Sequence, residues 1–324
     1  MSKMSLSARA SILAALLFVF PWQAPGQTRQ FEKVSPHCYV LAGENGSPNL
    51  GAVVTDDGIL IVNPPAEPEL TTAVEALKKA GSRPIRWFVC TDQAREPGGG
   101  ELALSKQGAL MITNAGLRES RLFRVKPDDR PADRPPDSPG PSLAFARLLR
   151  LFAGELEIQV RAPEREWHQG GDAVVFVPAE KVLLVGDLYS PGSFPSFEHE
   201  QGTASAVAWL EALKQVIDMV PLLKSAMPQP KPEPEKEGEE PKTLEELVVV
   251  IPALGSLSNL QEMKDLLASG QKIRVDVARA VAQKRNRETF VDLPMFGPYR
   301  GLGNLDSFAT RLFDELKAGR PSRD

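Results

Sequence analysis

The side chains that could do chemistry in this 324-residue chain are concentrated in three short strings, each close to an apolar run. The string Thr91–Gly100 carries Asp92 and Glu96, a second string begins at His168, and Asp187 ends a third. Carboxylates and imidazoles hold metal ions or transfer protons. The glycines of the first string lack the Lys-Ser/Thr pair of a phosphate-binding loop, and neither a nucleophile elbow nor a Cys-x-x-Cys motif is present.

Each of these residues also has a purely structural interpretation. An aspartate directly after a glycine at a strand end, such as Asp187, is a common turn residue. It could bond His168 and so fix two turns, and Asp92 and Glu96 could be solvated loop charges. His199 follows Asp187 in a loop that could reach the same place, although an exposed loop histidine is the commoner case. The residues alone therefore leave both interpretations open.

The elements that would position these side chains are short strands and amphipathic helices. The apolar and β-branched runs predict strands at Cys38–Ala42, Gly51–Thr55, Ile59–Asn63, Ile85–Cys90, Ala109–Thr113, Glu155–Val160, Ala173–Val177, Val182–Val185 and Leu247–Ile251. Helical spacing predicts helices at Glu67–Ala80, Ala204–Met219, Asn259–Ala268, Asp276–Gln283 and Leu305–Lys317. Two mixed β/α halves packed sheet against sheet satisfy this order, and so does a single open α/β sheet.

Five motifs, in order, resemble landmarks of the metallo-β-lactamase superfamily. The first metal loop of that family reads Thr-His-x-His-x-Asp-His-x-Gly-Gly, which the string Thr91–Gly100 resembles. The other four similar segments are the hairpin Val53–Val62, the turn His168–Asp172, the strand Leu183–Asp187 and the stretch Ile251–Gly255. The resemblance covers roughly Phe31 to Leu267 and implies an α/β (α+β) fold, a four-layer αββα sandwich.

In active members of this family, two clustered metals, usually zinc, share a water or hydroxide. The resemblance implies seven ligand positions, held here by Asp92, Ala94, Glu96, Pro97, His168, Asp187 and Leu254. Ala94, Pro97 and Leu254 have no donor atom, and Asn63 stands where an aspartate usually braces the metal loop. A dinuclear zinc centre is therefore not expected.

Three alternatives for the function follow from this ligand set. The first is a non-catalytic member of the family that acts as a binding or accessory protein, without a cofactor and without catalytic residues. The second is a hydrolase with one weakly bound divalent metal on Asp92, Glu96, His168 and Asp187, an oxygen-rich set that suits Mn, Mg, Ca or Fe better than zinc. The third is a scaffold that binds partners through Pro-rich insertions at 126–141 and 228–242.

The first residues have the layout of a secretory signal peptide over 1–26. A positive n-region is followed by the apolar run Ile12–Phe20, which is too short to span a bilayer comfortably, and by the small-residue site Ala24-Pro25-Gly26. The expected mature protein is periplasmic or secreted, free of the membrane after cleavage, with the metallo-β-lactamase-like domain over 31–324.

Composition excludes one class of partner. The formal net charge of −4 provides no clustered basic surface, so no nucleic acid is expected, and the partner is a small molecule or a protein. Cys38 and Cys90 lie in apolar runs and are interpreted as two buried thiols, not as a disulfide framework.

Overall fold

The computed structural model describes residues 30–44, 47–79, 81–91, 99–118, 142–165, 167, 171–197, 204–227 and 243–319. The predicted signal peptide and both Pro-rich insertions lie outside these ranges. Within them, two mixed β-sheets pack face to face, and helices cover both outer faces. The four-layer αββα sandwich predicted from the sequence is confirmed.

The first sheet takes its seven strands in chain order. They are β1 (Glu32–Lys33), β2 (Cys38–Leu41), β3 (Leu50–Thr55), β4 (Gly58–Val62), β5 (Ile85–Val89), β6 (Leu110–Asn114) and β7 (Leu143–Phe145). Strands β1 to β4 form antiparallel pairs, and β4 to β7 run parallel. The parallel half therefore brings the carboxyl ends of β4, β5 and β6 to one edge of the sandwich.

The second sheet has six strands in the order β13-β12-β11-β10-β9-β8. They are β8 (Leu148–Ala153), β9 (Leu156–Arg161), β10 (Val174–Val177), β11 (Val182–Gly186), β12 (Val249–Pro252) and β13 (Ser258–Asn259). Only β11 and β12 pair in parallel, so their carboxyl ends also lie side by side.

Alternation along the strands separates three apolar cores. Leu184 of β11 points between the sheets, where it joins residues such as Val53 and Ile158, while Leu183 points outward under the helices. The outer face of the first sheet has its own core around Phe88. Because helices cover both sheets, the central strands are buried on both faces and read as continuous apolar runs.

Helices supply the two outer layers. They are α1 (Glu69–Leu77), α2 (Gly99–Lys106), α3 (Ala206–Met219), α4 (Leu244–Leu247), α5 (Leu260–Ala282) and α6 (Leu305–Lys317). None of the helices in the described ranges has the length and apolarity needed to cross a membrane. Both cysteines are buried and neither forms a disulfide, with Cys38 between the sheets and Cys90 on the outer side of the first sheet.

Helix α5 corrects the sequence prediction of two separate helices at Asn259–Ala268 and Asp276–Gln283. The helix runs without a break through Gly270, where an added Cβ would lie 2.7 Å from a side-chain carbon of Leu210. The glycine allows α5 to pack closely on α3, and this tertiary contact outweighs the poor intrinsic helix propensity of glycine.

A buried carboxylate joins the two sheets at the end of the sandwich that holds the β10–β11 turn. Glu180, in the turn between β10 and β11, contacts the Ser35 hydroxyl and His37 Nδ1, and it accepts a hydrogen bond from His37 N at 3.1 Å. Burial raises the pKa of Glu180, but the hydrogen bonds from Ser35 and His37 outweigh it, and the net pKa is lowered. The partner of His37, which the sequence did not reveal, is therefore a structural one.

We expect Glu180→Gln to destabilise the fold by about 1–3 kcal/mol at pH 7, the cost of weakening a buried charged hydrogen-bond group. Because the folded pKa is lowered, the contribution is complete above the unfolded carboxyl pKa and is lost as the pH falls through the folded value. Urea unfolding at several pH values tests this, with the exposed Glu164→Gln as control. An advantage of the wild type over Glu180→Gln that is the same at pH 3 and pH 7 would contradict it.

Candidate functional site

The structure describes the anchors of the candidate site more completely than its donors. Asp92, Glu96, His168 and His199 lie outside the described residues, in the segments 92–98, 168–170 and 198–203. Asp187 is described and is partly exposed at the end of β11. The geometry of the site is therefore built from the residues on which these segments begin and end.

The segment that carries Asp92 and Glu96 is held at both ends by the chain that follows β4. The Asn63 side chain donates from Nδ2 to Thr91 Oγ1 at 2.7 Å and accepts from Thr91 N at 2.9 Å. At the far end, a Cβ on Gly100 would lie 1.8 Å from the carbonyl oxygen of Pro65, so only glycine fits. Asn63 thus braces the loop with a neutral amide in the place of a carboxylate.

The string around His168 is held next to the same strand end. Trp167 N donates to Asp172 Oδ2 at 2.7 Å, which joins two described residues on either side of 168–170. Ala173 N donates to the carbonyl oxygen of Thr91 at 2.8 Å, and Asn114 Nδ2 donates to the carbonyl oxygen of Asp172 at 3.3 Å. These bonds bring the start of the first string and the end of the second together.

Trp167 also contacts residues on both sides of the segment 198–203, which contains His199. Its ring meets the Phe197 ring edge-on at 6.1 Å, just before this segment. Its carbonyl oxygen accepts from Ser205 N at 3.2 Å, just after it. Both histidine-bearing segments therefore start beside Trp167.

The third string meets the first through a glycine contact between the sheets. Gly186 has φ +58°, and a Cβ there would lie 2.1 Å from Thr91 Oγ1. The carbonyl oxygen of Gly186 accepts from Ala253 N at 2.9 Å, which places Leu254 beside Asp187 at neighbouring strand ends. The Leu254 side chain is 43% exposed. The order of the landmarks in the sequence thus becomes proximity in space.

The strand end next to Leu254 is fixed by Asn49. Its backbone N donates to the carbonyl oxygen of Ala253 at 2.7 Å, and its Nδ2 lies 2.9 Å from the carbonyl oxygens of both Pro252 and Gly255. Nothing in the sequence pattern identified Asn49 as part of this site. A polar residue directly before a strand was the available signal.

Two buried polar contacts lie near the site without taking part in it. The Cys90 thiol donates to Glu101 Oε1 at 3.2 Å at the base of α2. The Tyr189 hydroxyl lies 2.7 Å from Ser258 Oγ, which donates to Glu262 at 2.6 Å. Burial raises the pKa of Tyr189 to about 12, so this phenol stays protonated and anchors the chain after Asp187 instead of acting as a base.

The C-terminal stretch reaches the rim of the site, which the sequence motifs did not indicate. Phe194 N donates to the carbonyl oxygen of Gly303 at 3.0 Å, and Gly303 N donates to that of Gly192 at 2.9 Å. Asn304 Nδ2 donates to the carbonyl oxygen of Phe194 at 2.8 Å. The loop after Asp187 is therefore paired with residues that lie more than a hundred positions later.

The side chains at the ligand positions implied by the sequence resemblance do not fit the two-metal centre that the fold suggests. Leu254, the residue beside Asp187, has no donor atom, and the brace at Asn63 is an amide. In the ranges that the structure describes, no group of three His, Cys, Asp or Glu side chains could hold a metal ion. No reaction step through a pair of metals can be derived from these residues.

Models of known protein families do not match the sequence, and neither do curated proteins. Solved structures do match the fold. The metallo-beta-lactamase from Pontibacter korlensis aligns at 17% identity and a TM-score of 0.55, over 75% of this chain and 99% of that one. The DIM-1 metallo-beta-lactamase aligns at 16% identity and 0.55, over 76% and 98%.

The mono-zinc form of the metallo-beta-lactamase FIM-1 from Pseudomonas aeruginosa aligns at 17% identity and a TM-score of 0.51, over 76% of this chain and 96% of that one. At this identity the comparisons establish architecture and leave activity open. The chain has the metallo-β-lactamase fold.

Proposed function

We propose that this chain is an exported protein that uses the metallo-β-lactamase fold for binding, as an accessory protein without a catalytic two-metal centre. Its ligand is a small molecule or a segment of a partner protein. The proposal rests on what has changed at the site and on what has been kept.

The observation that carries the proposal is Leu254. The pairing of Gly186 with Pro252 and the bond from Ala253 N to Gly186 O align the ends of β11 and β12. This alignment supports the assignment of Leu254, made from the sequence resemblance, to the position where the family has its last histidine. It offers an apolar contact surface, 43% exposed, in the place of a metal ligand. Binding sites for small molecules and peptides are lined mainly by such apolar groups.

The hydrogen bonds and packing that support the candidate site are present although the implied ligand positions have changed. Asn63 and Thr91 make two mutual hydrogen bonds, and Gly186 packs against Thr91 across the two sheets. Buried side-chain hydrogen bonds of this kind stabilise loops at the ends of strands without a metal ion. The strand ends around the candidate site can therefore stay in place without a metal ion.

A second candidate function is hydrolysis at an atypical mononuclear site. It is favoured by Asp187, which the sequence resemblance assigns to the bridging aspartate of the family and which directly follows Gly186 and its contact with Thr91. The bond from Ala173 N to Thr91 O supports the proximity of the strings that carry His168 and Asp92. One oxygen-preferring divalent ion would be its cofactor.

Metal content separates these two candidates. We expect the full chain, expressed in a bacterial host, to be recovered from the periplasm. Its mass should be that of a mature protein whose first residue lies near Gln27. It should contain well under about one metal ion per chain, and chelation should change the melting temperature by less than about 2 °C, because no ion contributes folding energy.

The control is the same chain dialysed against each of zinc, manganese, magnesium, calcium and iron(II). One tightly held ion, together with a melting temperature about 10 °C lower after chelation, would replace the binding proposal by the mononuclear hydrolase. Two zinc ions per chain would refute the loss of the two-metal centre. Cytoplasmic protein that retains Met1 would refute export.

A further inference from the structure

Among the residues that the structure describes, strand β8 is the last strand at one edge of the second sheet, three strands away from β11 and its candidate site. Its side chains alternate between the two faces of the sheet. Leu149 and Leu151 pack against the core between the sheets. On the outer face, Leu148 and Phe152 are 37% and 52% exposed. An edge strand with large exposed apolar side chains can pair with a further strand through its unpaired backbone groups.

The helical layer stops one strand short of this edge. Glu157 and Gln159 of β9 share the outer face with β8 and are fully buried. The segment that follows α3 covers them, because Gln159 Nε2 donates to the carbonyl oxygen of Lys224 at 3.4 Å and Ser225 Oγ donates to Glu157 at 3.2 Å. The exposed outer face of β8 therefore lies directly beside the covered outer face of β9.

The charges on this face are unequal. Arg150 Nε lies 3.4 Å from Glu157, and Arg161 lies on the same face, with its Nε donating to Gln159 at 3.0 Å. The pKa of Arg161 is lowered, first by burial and then by Arg150, which reflects how close the two guanidiniums are. Two cations thus share one buried carboxylate next to the open edge.

We propose that β8 receives an extended segment of a partner protein as an additional strand. The segment has a carboxylate opposite Arg150 and apolar side chains two residues to either side, opposite Leu148 and Phe152. Main-chain hydrogen bonds to the edge provide affinity, and the alternating side chains provide the choice of partner. The surface lies at the far edge of the second sheet, so it does not depend on the function of the candidate site.

A second copy of this chain fits the edge less well. An antiparallel pair of β8 strands that placed Leu148 opposite Phe152 would place Arg150 opposite its own counterpart. Like charges directly opposite each other destabilise a sheet. An acidic segment from another protein meets the same apolar residues. It also places a second carboxylate near the guanidiniums of Arg150 and Arg161.

The test uses two labelled peptides, Thr-Val-Thr-Glu-Thr-Val-Thr and the same peptide with Lys for Glu. We expect the full chain to bind the Glu peptide at least about fivefold more tightly in fluorescence anisotropy, since one favourable and one unfavourable cross-strand pair differ by about 1 kcal/mol or more. Arg150→Gln should make the two affinities equal, and Phe152→Thr should weaken both about fivefold.

Val275→Thr is the matched control, because Val275 is 60% exposed on α5 and lies outside both sheets. It should change neither affinity. The proposal fails if neither peptide binds, if the wild type does not distinguish them, or if the preference survives Arg150→Gln. Sedimentation that shows a dimer, dissociated by Phe152→Thr, would also overturn it in favour of a second copy.

Discussion

A variant in which the altered metal-site positions are restored is expected to bind about two zinc ions per chain, while the wild type binds none tightly. The substitutions are Asn63→Asp, Asp92→His, Ala94→His, Glu96→Asp, Pro97→His and Leu254→His. Ligand identity and number set the metal content of such a site. The anchors on either side of the changed positions are already those of the fold, because Thr91, Gly186 and Ala253 hold the strand ends together.

Zinc stoichiometry by competition with a coloured chelator measures the result. The matched control is the same variant with Leu254 left unchanged, which should hold about one zinc ion, because the second metal then lacks its last histidine. Activity is a separate question, since the bound water must be positioned within roughly half an ångström. A restored variant that folds but takes up no zinc would show that the positions are wrongly assigned.

Gly186→Ala is expected to destabilise the protein by about 2–5 kcal/mol, a large effect for a single added methyl group. A left-handed conformation at φ +58° costs a non-glycine residue about 1–2 kcal/mol. The new Cβ would also lie 2.1 Å from Thr91 Oγ1 and 2.9 Å from Thr91 Cβ. Overpacking of this kind costs about 1–3 kcal/mol more.

Gly192→Ala is the control for the backbone cost alone. Gly192 has φ +65°, and no atom lies within 4 Å of a Cβ built there. Urea unfolding should therefore show a loss of only about 1–2 kcal/mol for this variant. Equal losses for the two substitutions would mean that the contact between Gly186 and Thr91 does not join the sheets as described.

The donor capacity of the implied ligand positions could be determined from residue identity alone. The side chains of Ala94, Pro97 and Leu254 lack donor atoms in any conformation. The central strands were predictable for a related reason. A strand covered on both faces, such as β11, must be apolar throughout, and such a run is visible without knowledge of its partners.

The structure was needed where a residue's state depends on a distant neighbour. Strands β7 and β8 were not predicted. Apolar and polar residues do not alternate cleanly along Leu148–Ala153, which forms a strand by pairing with β9. The prediction of two helices in place of α5 was wrong because the contact of Gly270 with α3 cannot be read locally.

The assembly of the site is the part that only tertiary structure decided. Thr91 touches Gly186, His37 meets Glu180, and the loop after Asp187 pairs with Gly303. The partners in each pair are about a hundred or more positions apart along the chain. Local periodicity reports which face of an element is buried, but it holds no information about which strand ends will meet. The sequence therefore determined which side chains could donate to a metal, and packing between the two sheets determined which strand ends lie together.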